Sequence, residues 1–150
     1  MSESHFKLFA DEQGIRYIRF GLDRPPFNSL TGLPLFIRAA PDFLCEGTSK
    51  FFSEVKGCGK NGLKLKRESL DAMKEWNTYL TVWVFIYNSS SNKYAFATYQ
   101  QLEELCKTIE PQKFDNDGKV YYTISTSKLS WTAMETNNDE RTSRERELAY

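Results

Sequence analysis

The chain has 150 residues, 40% of them hydrophobic and 15% aromatic, which is enough apolar material for a folded core and excludes a wholly disordered chain. Twenty basic residues balance twenty acidic ones, so no global positive field marks a nucleic-acid partner, and any attraction to phosphate must be local. The three cysteines lack the paired spacing of a zinc or redox site, and no apolar run approaches the roughly 20 residues of a membrane span. We therefore expect a soluble, cytoplasmic protein with free thiols.

The distribution of apolar residues predicts one domain over residues 1–134 and a charged, flexible tail over residues 135–150. The segment Glu135–Glu147 contains no apolar residue, so burial cannot offset the entropy lost on ordering it.

The first half of the chain predicts a helix, a strand, a loop and a β-hairpin. Apolar residues at three-and-four spacing indicate the helix, which ends at Gly14. Prolines interrupt regular structure after the strand and indicate the loop. Two β-prone runs separated by Glu46-Gly47-Thr48-Ser49 indicate the hairpin. The predicted ranges are Ser4–Gln13 for the helix, Ile15–Phe20 for the strand, Gly21–Pro34 for the loop, and Phe36–Leu44 with Lys50–Lys56 for the hairpin.

The second half predicts helices that alternate with strands. The residues Leu70, Met73, Asn77 and Leu80 lie on one stripe and indicate a helix over Leu65–Leu80, reached through a flexible glycine-bearing crossing. The run TVWVFIY that follows it is apolar enough for a central strand. Further elements are predicted as a turn (Asn88–Lys93), a strand (Tyr94–Thr98), a helix (Gln100–Lys107) and a last strand (Lys119–Ile124). The order implies an α/β fold in which helices flank a mixed sheet.

The second strand of the hairpin carries an acid and a base on one face. Residues two apart on a strand point the same way, so Glu54 and Lys56 lie side by side while Phe51, Ser53 and Val55 face the other way. A glycine-rich break follows at once. Both charged groups are therefore expected at a strand end, where the sheets of α/β folds usually receive ligands.

The first strand carries a second acid, Asp42, twelve positions before Glu54. If the loop is the three residues Gly47-Thr48-Ser49, Glu46 pairs with Lys50 and Asp42 falls opposite Glu54, at a Cβ separation of about 5 Å. A two-residue loop would turn Asp42 to the other face. A functional hairpin therefore requires a loop of odd length or a compensating bulge.

Two carboxylates this close repel each other unless a cation lies between them. Hard oxygen ligands suit Mg²⁺ or Mn²⁺, which keep several waters and accept phosphate oxygens. Such an ion would polarise a scissile phosphate and lower the pKa of a bound water. Lys56 beside it could position that water or neutralise charge that builds up on the phosphate.

The motif Pro41-Asp42 followed by Glu54-Val55-Lys56 resembles the PD-(D/E)xK nuclease superfamily, in particular its Holliday junction resolvase-like and restriction endonuclease-like members. The resemblance covers roughly residues 3–105. It implies that Asp42, Glu54 and Lys56 are catalytic. It further implies that Asp42, Glu54 and the backbone carbonyl of Val55 are metal ligands.

The same resemblance suggests helper residues on two helices. Many members place a glutamate on the first helix, for which Glu3 is the candidate and Glu12 the reserve. Relatives often carry a glutamine near the start of the helix after the lysine, where this chain has Glu68 or Ser69. The identity of that helper therefore stays open.

A local run of cations is the candidate nucleic-acid surface. Residues 56–67 contain no acid, and beyond Lys56 the run supplies Lys60, Lys64, Lys66 and Arg67. Four further arginines could extend this surface, although their directions cannot be read from sequence: Arg16, Arg19, Arg24 and Arg38.

The residues predict a metal-dependent endonuclease that hydrolyses DNA phosphodiester bonds, on branched DNA or at a specific duplex site. Two alternatives stay open: a catalytically silent nuclease-fold module that binds nucleic acid or protein, and an RNA-directed nuclease. One chain offers one centre, so a homodimer would supply the second centre that double-strand cutting needs.

Overall fold

The computed structural model describes residues 2–22, 32–113, 116 and 118–134. Its elements in chain order are α1 (Ser2–Glu12), β1 (Arg16–Arg19), α2 (Leu35–Arg38), β2 (Phe43–Glu46), β3 (Lys50–Cys58), β4 (Leu63–Lys66), α3 (Arg67–Trp76), β5 (Val82–Asn88), β6 (Lys93–Thr98), α4 (Tyr99–Lys107), β7 (Gln112–Lys113), β8 (Val120–Ile124), a 3₁₀ helix (Thr126–Lys128) and β9 (Thr132–Ala133).

The main sheet, as far as the structure describes the chain, has six strands in the order β1-β2-β3-β5-β6-β9. β3 and β5 pair in parallel and every other neighbouring pair is antiparallel. The run predicted to be central is β5, which lies between β3 and β6 with six of its seven residues buried. The predicted α/β fold with a mixed sheet flanked by helices is confirmed.

Each face of this sheet has its own core, because successive strand side chains point to opposite faces. α1 covers one face with Phe6 and Phe9, which contact Phe85 of β5. α3 and α4 cover the other face, where Leu70, Met73 and Leu102 pack with the valines of β5. Phe51 lies in the first core and Phe52 in the second, so Glu54 and Lys56 share the face that α3 covers.

A second sheet has the order β4-β8-β7. Leu63 and Leu65 of β4 are each only 1% exposed, while the lysines between and after them point the other way. Gly62, the residue before this strand, has φ +94, and a Cβ there would lie 2.5 Å from the carbonyl oxygen of Ile124 in β8. Only glycine fits such a close approach with a positive φ.

The predicted strand Phe36–Leu44 is wrong in its first part. Residues Leu35–Arg38 form the helix α2 after Pro34, and the strand begins only at Phe43. Proline has φ preset near −65° and lacks an N–H, so Pro34 suits the start of a helix, and Pro41 cannot donate to a ladder. These prolines override the β propensity of the side chains between them.

The predicted helix Leu65–Leu80 is too long at both ends, since α3 spans Arg67–Trp76. Leu65 and Lys66 belong to β4 and pair with Tyr122 and Tyr121 of β8. The crossing expected to be flexible is ordered instead: β3 continues through Gly57 to Cys58, and Gly59 and Gly62 form a bridge. A partner strand some sixty residues further along the chain stabilises this region.

Two predictions fall on residues outside the described part of the chain: the tail over residues 135–150 and most of the loop Gly21–Pro34, including Arg24. Among the described helices, none is both long and apolar enough to cross a bilayer.

Candidate active site

The hairpin register brings Asp42 and Glu54 together. Glu46 pairs with Lys50 and Phe43 pairs with Ser53, so Asp42, one residue before β2, lies opposite Glu54. The three residues Gly47, Thr48 and Ser49 form the loop, as the predicted odd-length loop requires. The predicted register is confirmed.

Asp42 is fixed by hydrogen bonds to its side chain and its backbone. The Val55 N–H donates to its Oδ2 at 2.8 Å, and the N–H groups of Phe20 and Gly21 donate to its carbonyl oxygen at 2.9 and 3.2 Å. Arg19 Nη1 lies 3.9 Å from its Oδ1. The end of β1 therefore holds the start of β2 in place.

Glu54 is the most desolvated of the three predicted catalytic side chains, with 13% of its side chain exposed. Burial, followed by the negative charge of Asp42, raises the pKa of Glu54 to about 8, although Lys56 opposes the shift. Burial also raises the pKa of Asp42, while its hydrogen bond from the Val55 N–H opposes that shift. The pair is thus electrostatically unfavourable when both carboxylates are charged.

Lys56 completes the group, with Nζ 3.6 Å from Glu54 Oε1 and 30% of its side chain exposed. All three side chains line one cavity of about 240 Å³ at the end of the hairpin. The cavity is closed on other sides by Leu22, Arg38, Ala39, Ala40, Ser69 and Met73.

The donor set fits a hard divalent cation. Two carboxylates face one cavity, and burial raises the pKa of each, so a cation between them would stabilise their charged forms. Within the described ranges, no group of three or more His, Cys, Asp or Glu side chains is placed to hold a metal. Two carboxylates suit Mg²⁺, which usually keeps several waters and is bound through one or two protein carboxylates plus phosphate.

The helper candidates lie in different settings. Glu3 accepts two hydrogen bonds from the Arg19 guanidinium, one of them at 3.1 Å, and this pairing lowers its pKa. Its charge still contributes to the raised pKa of Asp42, so Glu3 lies near the site. The reserve, Glu12, is exposed at the far end of α1. Ser69 lines the cavity, whereas Glu68 forms a 2.8 Å ion pair with Lys119.

The predicted cationic run occupies β4 and its two ends. Lys60 lies in the turn before β4, and Lys64 and Lys66 share the face of β4 that the buried leucines leave. Lys66 Nζ lies 5.8 Å from the Tyr121 ring centroid, and Arg67 donates to the Tyr122 hydroxyl at 2.8 Å. The charge of Lys66 also helps to lower the pKa of Glu68, so Lys66 lies near Glu68, which directly precedes Ser69.

The sequence named Arg19 and Arg38 as possible extensions of the cationic surface but did not place them beside the carboxylates. Arg19 links α1 to Asp42 through Glu3, and Arg38 lines the cavity from α2. The alternation of side chains on β1 places Arg19 on the same face as Tyr17, and this could be predicted from the sequence. No local pattern predicts the contact between Arg19 and Glu3. The direction of the Arg38 side chain depends on the helix α2. The sequence around Arg38 is β-prone, so this helix was not predicted.

The fold is that of restriction endonuclease-like nucleases, as the sequence predicted. No family model matches the chain, and no curated protein matches it either. Among solved structures, Hjc from Archaeoglobus fulgidus, a Holliday junction resolvase from an archaeal hyperthermophile, matches with a TM-score of 0.50 and 16% identity, covering 85% of this chain and 88% of that one. D212, a nuclease from a fusselovirus, matches with a TM-score of 0.50 and 13% identity, covering 86% of this chain and 80% of that one. At these identities the likeness shows the fold alone.

Proposed function

We propose that the protein is an endonuclease that hydrolyses DNA phosphodiester bonds with a divalent metal ion. The observation that carries the proposal is the convergence of Asp42, Glu54 and Lys56 in one cavity at the end of the β2–β3 hairpin. The fold shared with a Holliday junction resolvase and a viral nuclease supports the same function.

Asp42, Glu54 and the Val55 carbonyl would hold Mg²⁺ or Mn²⁺ in this mechanism. When bound, the ion would polarise the scissile phosphate and lower the pKa of a coordinated water. Asp42 is pre-positioned by the Val55 N–H, so little reorganisation is needed on binding. Lys56, 3.6 Å from Glu54, can donate a hydrogen bond to a phosphate oxygen or hold the attacking water. Glu3 would assist from α1.

The cationic run would hold the nucleic-acid backbone. Lys60 lies in the turn before β4, Lys64 and Lys66 lie on β4, and Arg67 is the first residue of α3, whose Ser69 lines the cavity. Each cation that pairs with a phosphate releases condensed counterions and so contributes affinity without sequence preference. In this arrangement one chain cuts one strand, and a homodimer would cut both.

A plasmid assay tests the proposed function. Purified protein is incubated with supercoiled plasmid, junction DNA and RNA, in Mg²⁺, in Mn²⁺ and in EDTA. We expect metal-dependent nicking or cutting of DNA that Asp42→Ala, Glu54→Ala and Lys56→Ala each reduce by about 10² or more, because the three act as one unit.

The matched control is Glu46→Ala, which removes an acid from the same hairpin at its opposite end. It should leave cleavage unchanged. Full activity in Glu54→Ala, or equal activity in EDTA, would refute the proposed site. Cleavage of RNA alone would redirect the proposal to an RNA-directed nuclease, and binding without cleavage would favour the silent module.

A further inference from the structure

A fourth charged side chain lines the cavity that holds Asp42, Glu54 and Lys56. It is Arg38, the last residue of α2, which belongs to the connection between β1 and β2 and not to the hairpin. Ser69 and Met73 of α3 line the same cavity. The cavity thus has a cation from the hairpin and a second cation from a separate element.

The position of Arg38 is fixed by its helix. Trp76 Nε1 donates to the Phe36 carbonyl oxygen at 3.0 Å, and the two rings stack at 4.2 Å with an interplanar angle of 7°. The Arg38 N–H donates to the Pro34 carbonyl at 3.1 Å. α2 is therefore anchored to α3, and the guanidinium is carried on a rigid support four residues before Asp42.

The neighbouring charges leave the Arg38 guanidinium available for an external anion. Its charge reaches Glu68, whose pKa it helps to lower, but that carboxylate is bridged to Lys119 at 2.8 Å. Within the described residues, Arg38 forms no ion pair, and its side chain is exposed. By contrast, Arg19 is engaged by Glu3 and Lys56 by Glu54.

We propose that Arg38 binds the nucleic-acid phosphate that enters this cavity, through paired hydrogen bonds to its non-bridging oxygens. An arginine presents a planar fork of donors that matches two oxygens of one phosphate, and its charge persists at any working pH. This inference rests on the proposed function, because it names the group that grips the substrate beside the carboxylates. Lys56 and Arg38 would then hold the phosphate from two directions.

Binding and cleavage by three arginine variants test this role. Arg38→Ala and Arg38→Lys are compared with the control Arg16→Ala. The sequence left Arg16 open as an extension of the cationic surface, but the structure places it at the end of β1 away from the cavity, exposed and paired with Glu46. Fluorescence anisotropy measures the affinity for a labelled DNA duplex in EDTA over a range of salt concentrations. A parallel assay measures kcat/KM for plasmid cleavage in Mg²⁺.

Arg38→Ala should weaken duplex binding by about tenfold, lower the salt slope by about one, and reduce kcat/KM by about 10². Arg38→Lys should restore the salt slope but only part of kcat/KM, because a lysine keeps the charge and lacks the fork. Arg16→Ala should behave as wild type. Equal thermal unfolding midpoints would show that the variants are folded.

The outcomes separate this inference from the proposed function. Wild-type cleavage together with unchanged binding and cleavage in Arg38→Ala overturns the role of Arg38 and leaves the nuclease intact. Duplex binding that depends on Arg38, without cleavage by the wild type, supports the phosphate contact and refutes the nuclease. A wild type that neither binds nor cleaves nucleic acid overturns both.

Discussion

Glu54 is the residue whose chemistry depends most on what lies beside it. It is nearly buried and faces Asp42, and the Lys56 ammonium partly compensates its charge. Without a metal ion its carboxyl group retains a proton at neutral pH, because burial raises its pKa to about 8 from an ordinary 4.5. A metal ion that bound to Glu54 would have to displace that proton.

This shift predicts a pH-dependent stability in the absence of metal. Between pH 4.5 and about 8 the folded state binds a proton at Glu54 that the unfolded state has released, so stability falls as pH rises through this window. Glu54→Gln should be less sensitive to pH and more stable than wild type at pH 8, by on the order of a few kcal/mol. Urea unfolding in EDTA at pH 5, 6.5 and 8 measures the difference.

The control for this experiment is Glu46→Gln, which lies at the other end of the hairpin and should keep the wild-type slope. Adding Mg²⁺ should raise the stability of wild type more at pH 8 than at pH 5, since fewer protons then compete for the carboxylates. A wild-type stability that rises steadily from pH 5 to 8 in EDTA would contradict the shifted pKa.

At the scale of elements, the site depends on how the end of β1 packs against the start of β2. Gly21 is buried there, and a Cβ on it would lie 2.8 Å from the Pro41 carbonyl oxygen and 3.3 Å from the Asp42 Cα. These backbone atoms cannot be displaced as easily as the end of a flexible side chain. Glycine at this position therefore sets the place of Asp42.

Gly21→Ala should displace Pro41 and Asp42 and lower nuclease activity by about 10², because small misplacements of a catalytic group are costly. The overpacking should also destabilise the fold by about 1–3 kcal/mol. Cleavage rate and thermal unfolding midpoint are the measurements. The matched control is Gly59→Ala, where an added Cβ meets nothing within 4 Å. Equal activity of the two variants would show that Gly21 is not a constraint.

Local patterns were sufficient to predict the hairpin. Its register follows from the loop length and the two-residue period of strands. The sequence therefore predicted Asp42, Glu54 and Lys56 on one face on the condition of an odd-length loop, and the loop has three residues. The central strand β5 could also be predicted from the sequence, because few other segments carry such an apolar run. These features depend on residues close together in the chain.

The features that sequence reasoning missed depend on distant partners. β4 carries a strand pattern, LKLK, but it is short and becomes a strand because β8 pairs with it from residues 120–124. α2 contains β-prone residues, and Pro34 with its docking against Trp76 makes it helical. Arg38 could not be assigned to the cavity until that helix was known.

At the scale of the whole molecule, function depends on the placement of charge and not on its total. Acidic and basic residues cancel over the chain, yet residues 56–67 carry cations and no acid. The second sheet holds Lys64 and Lys66 on one face of β4, and Lys66 acts on Glu68, the residue before Ser69 of the cavity. A local field of this kind acts over about 10 Å at 0.1 M salt.

This distribution predicts that DNA binding weakens steeply with salt despite the zero net charge. If Lys60, Lys64, Lys66 and Arg67 each pair with a duplex phosphate, the logarithm of affinity should fall against the logarithm of salt concentration with a slope of about −3 to −4. Lys64→Ala should reduce the magnitude of that slope by about one, equally for unrelated duplex sequences. Lys50→Ala is the control, since it removes an exposed lysine at the opposite end of β3 from the cationic run. A salt slope near zero, or the same reduction of the slope in both variants, would show that DNA is not bound along β4.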